Sequence, residues 1–224
     1  MSSRARGSDE TDAPSGPDGR PRGRGRPSRS AAEIADVRAR IADCALRLFQ
    51  QEGYAAVSMR KLAAEAGCTT KTVYAYFDSK IDILSLLWSE VFAALFDQLD
   101  AVAAAQPEPK ARLEAISQAY VGFWLEHREH YFLVFMSRGL SRAEVEGFVA
   151  TGMPRARFEL FIRCLAAVLG PGADEETLRQ RSEALICALN GISQALITIS
   201  GHDWAPPESL VRIAVDGVSG RARR

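Results

Sequence analysis

Between Gly67 and Lys80 the chain reads GCTTKTVYAYFDSK, and the groups there that could do chemistry are hydroxyls, phenols and two ammonium groups. At about 100° per residue along a helix begun at Thr69, Val73 and Phe77 fall on one side. Lys71 and Ala75 fall opposite, with Thr72 and Tyr74 on the shoulders. A plain solvated face would be filled with Glu, Lys, Gln and Arg and would rarely expose aromatic rings. This mixture of cation, methyl, hydroxyl and phenol instead suits base edges and phosphates in a DNA major groove. Lys71 can donate to guanine O6 or N7, Ala75 can pack on a thymine methyl, and Thr72 can do either a hydroxyl or a methyl contact. Tyr74, Tyr76, Lys80 and the Thr69 hydroxyl suit phosphate oxygens, as do the free N–H groups at helix starts after Ser58 and Thr69.

Other chemistry finds little support. No Gly-rich phosphate loop or nucleophile elbow is present, and the three histidines, His127, His130 and His202, have no triad spacing, so catalysis is not expected. His127 and His130 stand three apart with Glu126 and Glu129 beside them, a spacing open to a metal pair, but the sequence specifies no third ligand. Neither a metal nor a cofactor is expected. Cys44, Cys68, Cys164 and Cys187 form no CxxC and read as buried thiols without disulfides.

The elements that must position these groups are helical throughout. The chain has 224 residues, 47% of them hydrophobic, enough for one sizeable core or two modest ones. Residues 1–30 are rich in Gly, Pro, Ser, Asp and Arg and read as a disordered arm. From Ala31 the apolar positions Ile34, Val37, Ile41, Cys44, Leu48 and Phe49 recur at helical steps, predicting a first helix that ends near Gly53. Ser58 caps a second helix facing inward with Met59, Leu62, Ala63 and Ala66, and Gly67 stops it. A third helix of about nine residues reaches Phe77 and is too short to stand without packing. A fourth starts after Ser79; further helices are expected over 110–127, 129–138, 142–169, 174–200 and 207–219. No segment alternates like a strand.

Charge is zero overall but unevenly placed: residues 20–80 hold 12 Lys or Arg against 6 Asp or Glu, while residues 81–224 hold 14 against 18. The net charge argues neither for nor against a polyanionic partner, but its distribution gives a basic head on a mildly acidic body. RPRGRGRPSR, from Arg20 to Arg29, adds five arginines with no acid, and Arg24-Gly25-Arg26-Pro27 resembles the core of an AT-hook, which favours a narrow minor groove. The longest apolar run, 184–199, is broken by Asn190, Ser193 and Gln194 and falls short of a bilayer span; with no apolar leader, a soluble cytoplasmic protein is expected.

The stretch from Arg38 to Phe92 resembles the DNA-binding domain of TetR (tetracycline-repressor-like) transcriptional regulators. The resemblance rests on A..LF...GY at the end of the first helix, S.R.LA.EAG in the second, and T...VY.YF.SK..L across the third and fourth. It implies an all-α chain: a three-helix helix-turn-helix domain over 31–80 and a helical ligand-binding and dimerisation bundle over 81–224. It also implies that Ser58, Arg60, Thr69, Thr70, Lys71, Thr72, Tyr74, Tyr76 and Lys80 lie where family members meet double-stranded DNA. Asp78 departs from the usual uncharged residue and either repels phosphate or caps the fourth helix.

The body invites two further expectations. Ala188, Gly191 and Ala195 of one helix, with Leu210, Ile213 and Gly217 of the last, suit a homodimer built as a four-helix interface, as the resemblance implies. Trp88, Phe92, Phe96, Phe123, Trp124, Phe135 and Phe158 suit the lining of a pocket for a small apolar ligand. AYVGFWLEHREHYFLVFMS and ALICALNGISQALITIS resemble the regulatory domain of the WHG subgroup, with Gly191 in place but Asn190 where the subgroup has His. The expectation is therefore a homodimeric repressor released from a palindromic operator by an apolar effector. The alternative is an architectural, A/T-preferring DNA binder led by its arginine arm.

Overall fold

The computed structural model describes residues 31–137, 139–150 and 153–220, so Arg24 and Arg26 of the arm lie outside the described residues. Ten α-helices and one 3₁₀ turn make up the described chain, and no strand occurs among these residues. The all-α expectation holds.

The first three helices pack against the start of the fourth. α1 (Ala31–Glu52) buries Ile41, Cys44, Ala45, Leu48 and Phe49. Ile34, expected on the same inward stripe, is 44% exposed, because the first turns of α1 run beyond the core they belong to. Gly53 ends the helix at φ 82°, a left-handed conformation, and a 3₁₀ turn over Tyr54–Ala56 leads to α2 (Met59–Glu65). Ser58 caps α2 as expected, its hydroxyl accepting the Lys61 N–H at 3.2 Å. At the far end the Cys68 N–H reaches the Ala63 carbonyl and the Gly67 N–H the Ala64 carbonyl, a Schellman cap that needs Gly67 at its φ of 64°.

α3 covers Thr70–Tyr74, five residues where nine were expected. Past Tyr74 the chain tightens into turns, with the Tyr76 N–H bonding three residues back to Val73. Val73 and Phe77, at 0% and 3% exposure, tie this short helix down. At roughly 1.5–3 kcal/mol for each fully buried side chain, that packing replaces the cooperativity so short a helix lacks.

α4 (Lys80–Ala105) begins at Ser79, whose N–H and hydroxyl both donate to Asp82 at 2.8 Å. Ser79 and Asp82 thus form the start of the helix, and exposed Asp78 does not cap it. α4 continues from the head into the body, where α5 (Pro109–Glu126) is the central helix, packed on α4, α8, α9 and α10. Its inward residues Leu113, Ile116, Tyr120 and Trp124 are fully enclosed. α6 (Arg128–Phe135) follows after a break at His127. The single helix expected over 142–169 is two, α7 (Arg142–Ala150) and α8 (Met153–Leu169). α9 (Glu175–Thr198), capped by Asp174, and α10 (Pro207–Ser219) close the bundle. Among the described residues no helix is long and apolar enough to cross a membrane. All four cysteines are free, but Cys187 is exposed and Cys68 half-buried, so the expectation of four buried thiols holds only for Cys44 and Cys164.

Candidate nucleic-acid interface

The Thr69 hydroxyl accepts the Thr72 N–H at 3.1 Å and lies 2.9 Å from the Thr72 hydroxyl. Thr69 thus caps the helix, and the Thr72 N–H is no longer free for a phosphate. Thr70 is half-buried. Val73 and Phe77 turn inward, which leaves Lys71, Tyr74 and Ala75 exposed on the opposite side, Tyr74 at 52%. Arg60 on α2 is exposed too, and Ser58 sits at that helix's exposed start. Tyr76 is half-buried and packs on the core. The anchored side and the presented side of α3 are therefore those the periodicity separates, although the helix is shorter.

Lys80 departs from expectation. Its ammonium donates to the Tyr54 carbonyl at 2.6 Å and the Val57 carbonyl at 2.8 Å, and lies 4.0 Å from the Tyr54 ring centroid. Burial lowers its pKa, partly offset by Glu144. With its donors turned inward, Lys80 holds the α1–α2 turn to the start of α4.

The same turn meets the body, in a joint of residues far apart in sequence. The Tyr54 hydroxyl donates to Glu144 of α7 at 3.2 Å, and burial followed by the Glu144 charge pushes the phenol up to about 12. Glu144 is held below the usual carboxylate range chiefly by the N–H and hydroxyl of Ser141. Gly139, at φ 86°, lies so near Ala55 that a Cβ on it would stand 2.7 Å from that of Ala55. Beside this joint Phe49, Tyr54, Phe132, Leu133 and Met136 line a cavity of about 550 Å³. Only Gly139 carries a sequence signal, as a turn former.

The aromatic residues expected around a ligand mostly fill the core. Phe92 stacks near Phe96 and meets Trp124 edge-on at 6.3 Å, and Trp124 meets Phe123 and Phe135 at 5.2 Å. The Trp88 indole donates to the Leu133 carbonyl at 3.1 Å. Trp88, Phe92, Phe96 and Trp124 stand outside the linings of the cavities of about 550, 440, 410 and 240 Å³, and their ring faces pack on neighbouring rings. Phe135 is 40% exposed. Phe123 borders a cavity of about 240 Å³ and Phe158 one of about 410 Å³, the latter shared with Ile162, Arg179, Ser182, Glu183, Ile186 and Cys187. Asn190, in the place of the subgroup histidine, accepts the Tyr120 hydroxyl at 2.8 Å.

α9 and α10 leave an uncovered apolar side. Gly191, Gly217 and Ile213 are exposed, Ile213 at 70%, and Ala188, Ala195 and Leu210 are half-buried.

Residues 41–87 match the family described as bacterial regulatory proteins, tetR family. The HTH-type transcriptional regulator AcrR of Shigella flexneri is 39% identical over 56 residues, 25% of this chain, and the match spans about a quarter, 26%, of that relative's length. Fold similarity reaches much further. The fatty acid degradation regulator FadR from Bacillus halodurans superposes with a TM-score of 0.66 at 17% identity, over 84% of this chain and 96% of that one. A TetR-like transcriptional regulator from Rhodococcus sp. RHA1 gives 0.60 at 20% identity, over 84% and 98%. Residues 41–87 thus match the helix-turn-helix segment of the tetR family of bacterial regulatory proteins, and the chain shares its fold along most of its length with the two solved regulators.

Proposed function

We propose that the protein is a homodimeric, sequence-specific DNA-binding regulator of transcription whose hold on a palindromic operator is released by a small apolar effector. The observation that carries the reading is the two-sided α3: Val73 and Phe77 lock it to the head while Lys71, Tyr74 and Ala75 face outward beside Arg60. Such a helix can enter a major groove, with Lys71 reading a base edge and Tyr74, Arg60 and the hydroxyls of Ser58 and Thr69 holding phosphates. The arginines at 24 and 26 would add a minor-groove contact beyond the described residues.

One such helix binds weakly, and two must lie about 34 Å apart to meet successive grooves. The exposed strip of Gly191, Ile213 and Gly217 supports pairing of α9 and α10 with their copies across a twofold axis. For the effector, the 410 Å³ cavity beside Phe158 is the better-placed site, being of a size suited to small molecules and touching the ring cluster through the 5.2 Å contact of Phe158 with Phe96. A ligand there acts only if it binds the DNA-incompetent arrangement more tightly; a tenfold loss of operator affinity corresponds to about 1.4 kcal/mol.

Selection of bound duplexes from a random library at physiological salt, with the full chain and with one starting at Ala31, tests the reading. Both should enrich one palindrome, the shorter chain more weakly. Enrichment of A/T-rich tracts alone, lost with the arm, would refute it and favour an architectural role.

A further inference from the structure

His127 ends α5 and precedes α6 at φ −116° and ψ 57°, so the chain bends at this residue. Its N–H donates to the Phe123 carbonyl, and its own carbonyl accepts from the N–H groups of His130 and Tyr131. The bend brings three ligand-type side chains together: one donor atom from each of His127, Glu129 and His130 lies within 4.8 Å of the other two. His127 Nδ1 stands 3.9 Å from a Glu129 carboxylate oxygen. His130 Nδ1 is buried without a hydrogen-bond partner, an arrangement that is costly unless something arrives to use the nitrogen. His127 and His130 also line the 240 Å³ cavity, together with Leu46 of α1 and Glu90 of α4.

We propose that His127, Glu129 and His130 bind a divalent transition cation of the zinc, cobalt and nickel class at the junction of head and body. Two imidazole nitrogens and one carboxylate oxygen form a donor set suited to these ions, whereas calcium and magnesium prefer all-oxygen sites. Bonds of about 2.0–2.1 Å place tetrahedral ligands about 3.4 Å apart, so the three donors must close by roughly 1 Å. His127 and Glu129 are 42% and 50% exposed in their side chains and are free to rotate by that amount. Water completes the coordination. α6 packs on both α1 and α4, so an ion at its first turn fixes the bend where the two parts of the molecule meet. The site is independent of the regulatory reading and requires no DNA for its test.

The full chain, stripped by a chelator, is titrated with Zn²⁺ against a chromophoric competitor and with Co²⁺ by visible absorption. One ion per chain is expected, with Co²⁺ ligand-field bands and no thiolate charge-transfer band. His127→Gln, His130→Gln and Glu129→Gln should each weaken binding by about 10-fold or more while metal-free helicity is retained. Should either histidine change unfold the chain, Glu129→Gln at an exposed position carries the test. Absence of stoichiometric binding, or an affinity untouched by the variants that fold, overturns the proposal. So does a thiolate band abolished by Cys187→Ser, which would place the ion on a cysteine.

Discussion

Lys80→Met separates the two roles open to Lys80. Methionine keeps much of the apolar stem and removes the ammonium, which in the folded chain bonds two carbonyls at 2.6 and 2.8 Å and sits over the Tyr54 ring. Hydrogen bonds from a charged donor contribute about 1.5–3 kcal/mol each, and an ammonium over a ring about 0.5–2 kcal/mol. The lysine is only partly buried, so water can reoccupy the freed carbonyls, and the total falls to about 2–4 kcal/mol. Urea unfolding at fixed protein concentration should show that loss without a change in slope. Operator affinity measured across a salt series should keep its slope, because no phosphate contact has been removed. The reasoning is refuted if stability changes by less than about 0.5 kcal/mol while the slope of log affinity against log salt shrinks by about 0.9, the signature of one lost phosphate contact.

Gly67→Ala should destabilise the head by about 1–2 kcal/mol, read from the same unfolding curves; nothing lies within 4 Å of the added methyl, so the cost is that of a left-handed alanine. Ile213→Asp should raise the dimer dissociation constant in sedimentation by about 100-fold, or about 2.7 kcal/mol, and an unchanged constant would exclude that side of α10 from the interface. The Tyr54–Glu144 joint should loosen at both extremes of pH, as followed by hydrogen exchange at Tyr54 and its neighbours. Glu144 has a folded pKa below its unfolded value, so its contribution is present above about pH 4.5 and is lost as pH falls through the lowered folded pKa. Tyr54 is raised to about 12, so its contribution is intact below pH 10 and is lost as pH climbs through 12, and Glu144→Gln should remove the acid transition.

Periodicity located every helix of the head because each has one buried stripe, and the caps at Ser58 and Thr69 stood where polar residues precede apolar runs. It overran α3, since the turns after Tyr74 keep Phe77 pointing inward at a spacing a helix would also produce. It merged α7 with α8 for a related reason: RAEVEGFVATGMPRARFELF has helical composition on both sides of Gly152. The aromatic residues show a different limit. Ring count and spacing are the same for a filled core and for a lined pocket, and only the edge-to-face contacts of Phe92, Phe123 and Trp124 tell them apart. Lys80 was legible as a cation at a helix start, but its partners are carbonyls 23 and 26 residues earlier, and no local pattern encodes those.

The same long-range contacts bear on how a signal could cross the molecule. α4 is one helix from Lys80 to Ala105, so its first turn, pinned by Lys80 to the α1–α2 turn, cannot shift independently of the stretch that carries Trp88. Trp88 in turn donates to the Leu133 carbonyl on α6, and Tyr54 reaches α7 through Glu144. Beside the packing of α6 on α1 and of Phe148 on Trp88, these two hydrogen-bonded ties join the head to α6 and α7, one through α4 and one directly. A displacement of α6 or α7 must either break a tie, at about 0.5–1.5 kcal/mol for a neutral hydrogen bond, or carry the head with it. The stiffer α4 tie is better suited to carry motion. The Tyr54–Glu144 tie, one partly exposed hydrogen bond, is better suited to yield. Weakening it by Tyr54→Phe should therefore alter how strongly a body ligand changes operator affinity more than it alters affinity in the ligand's absence.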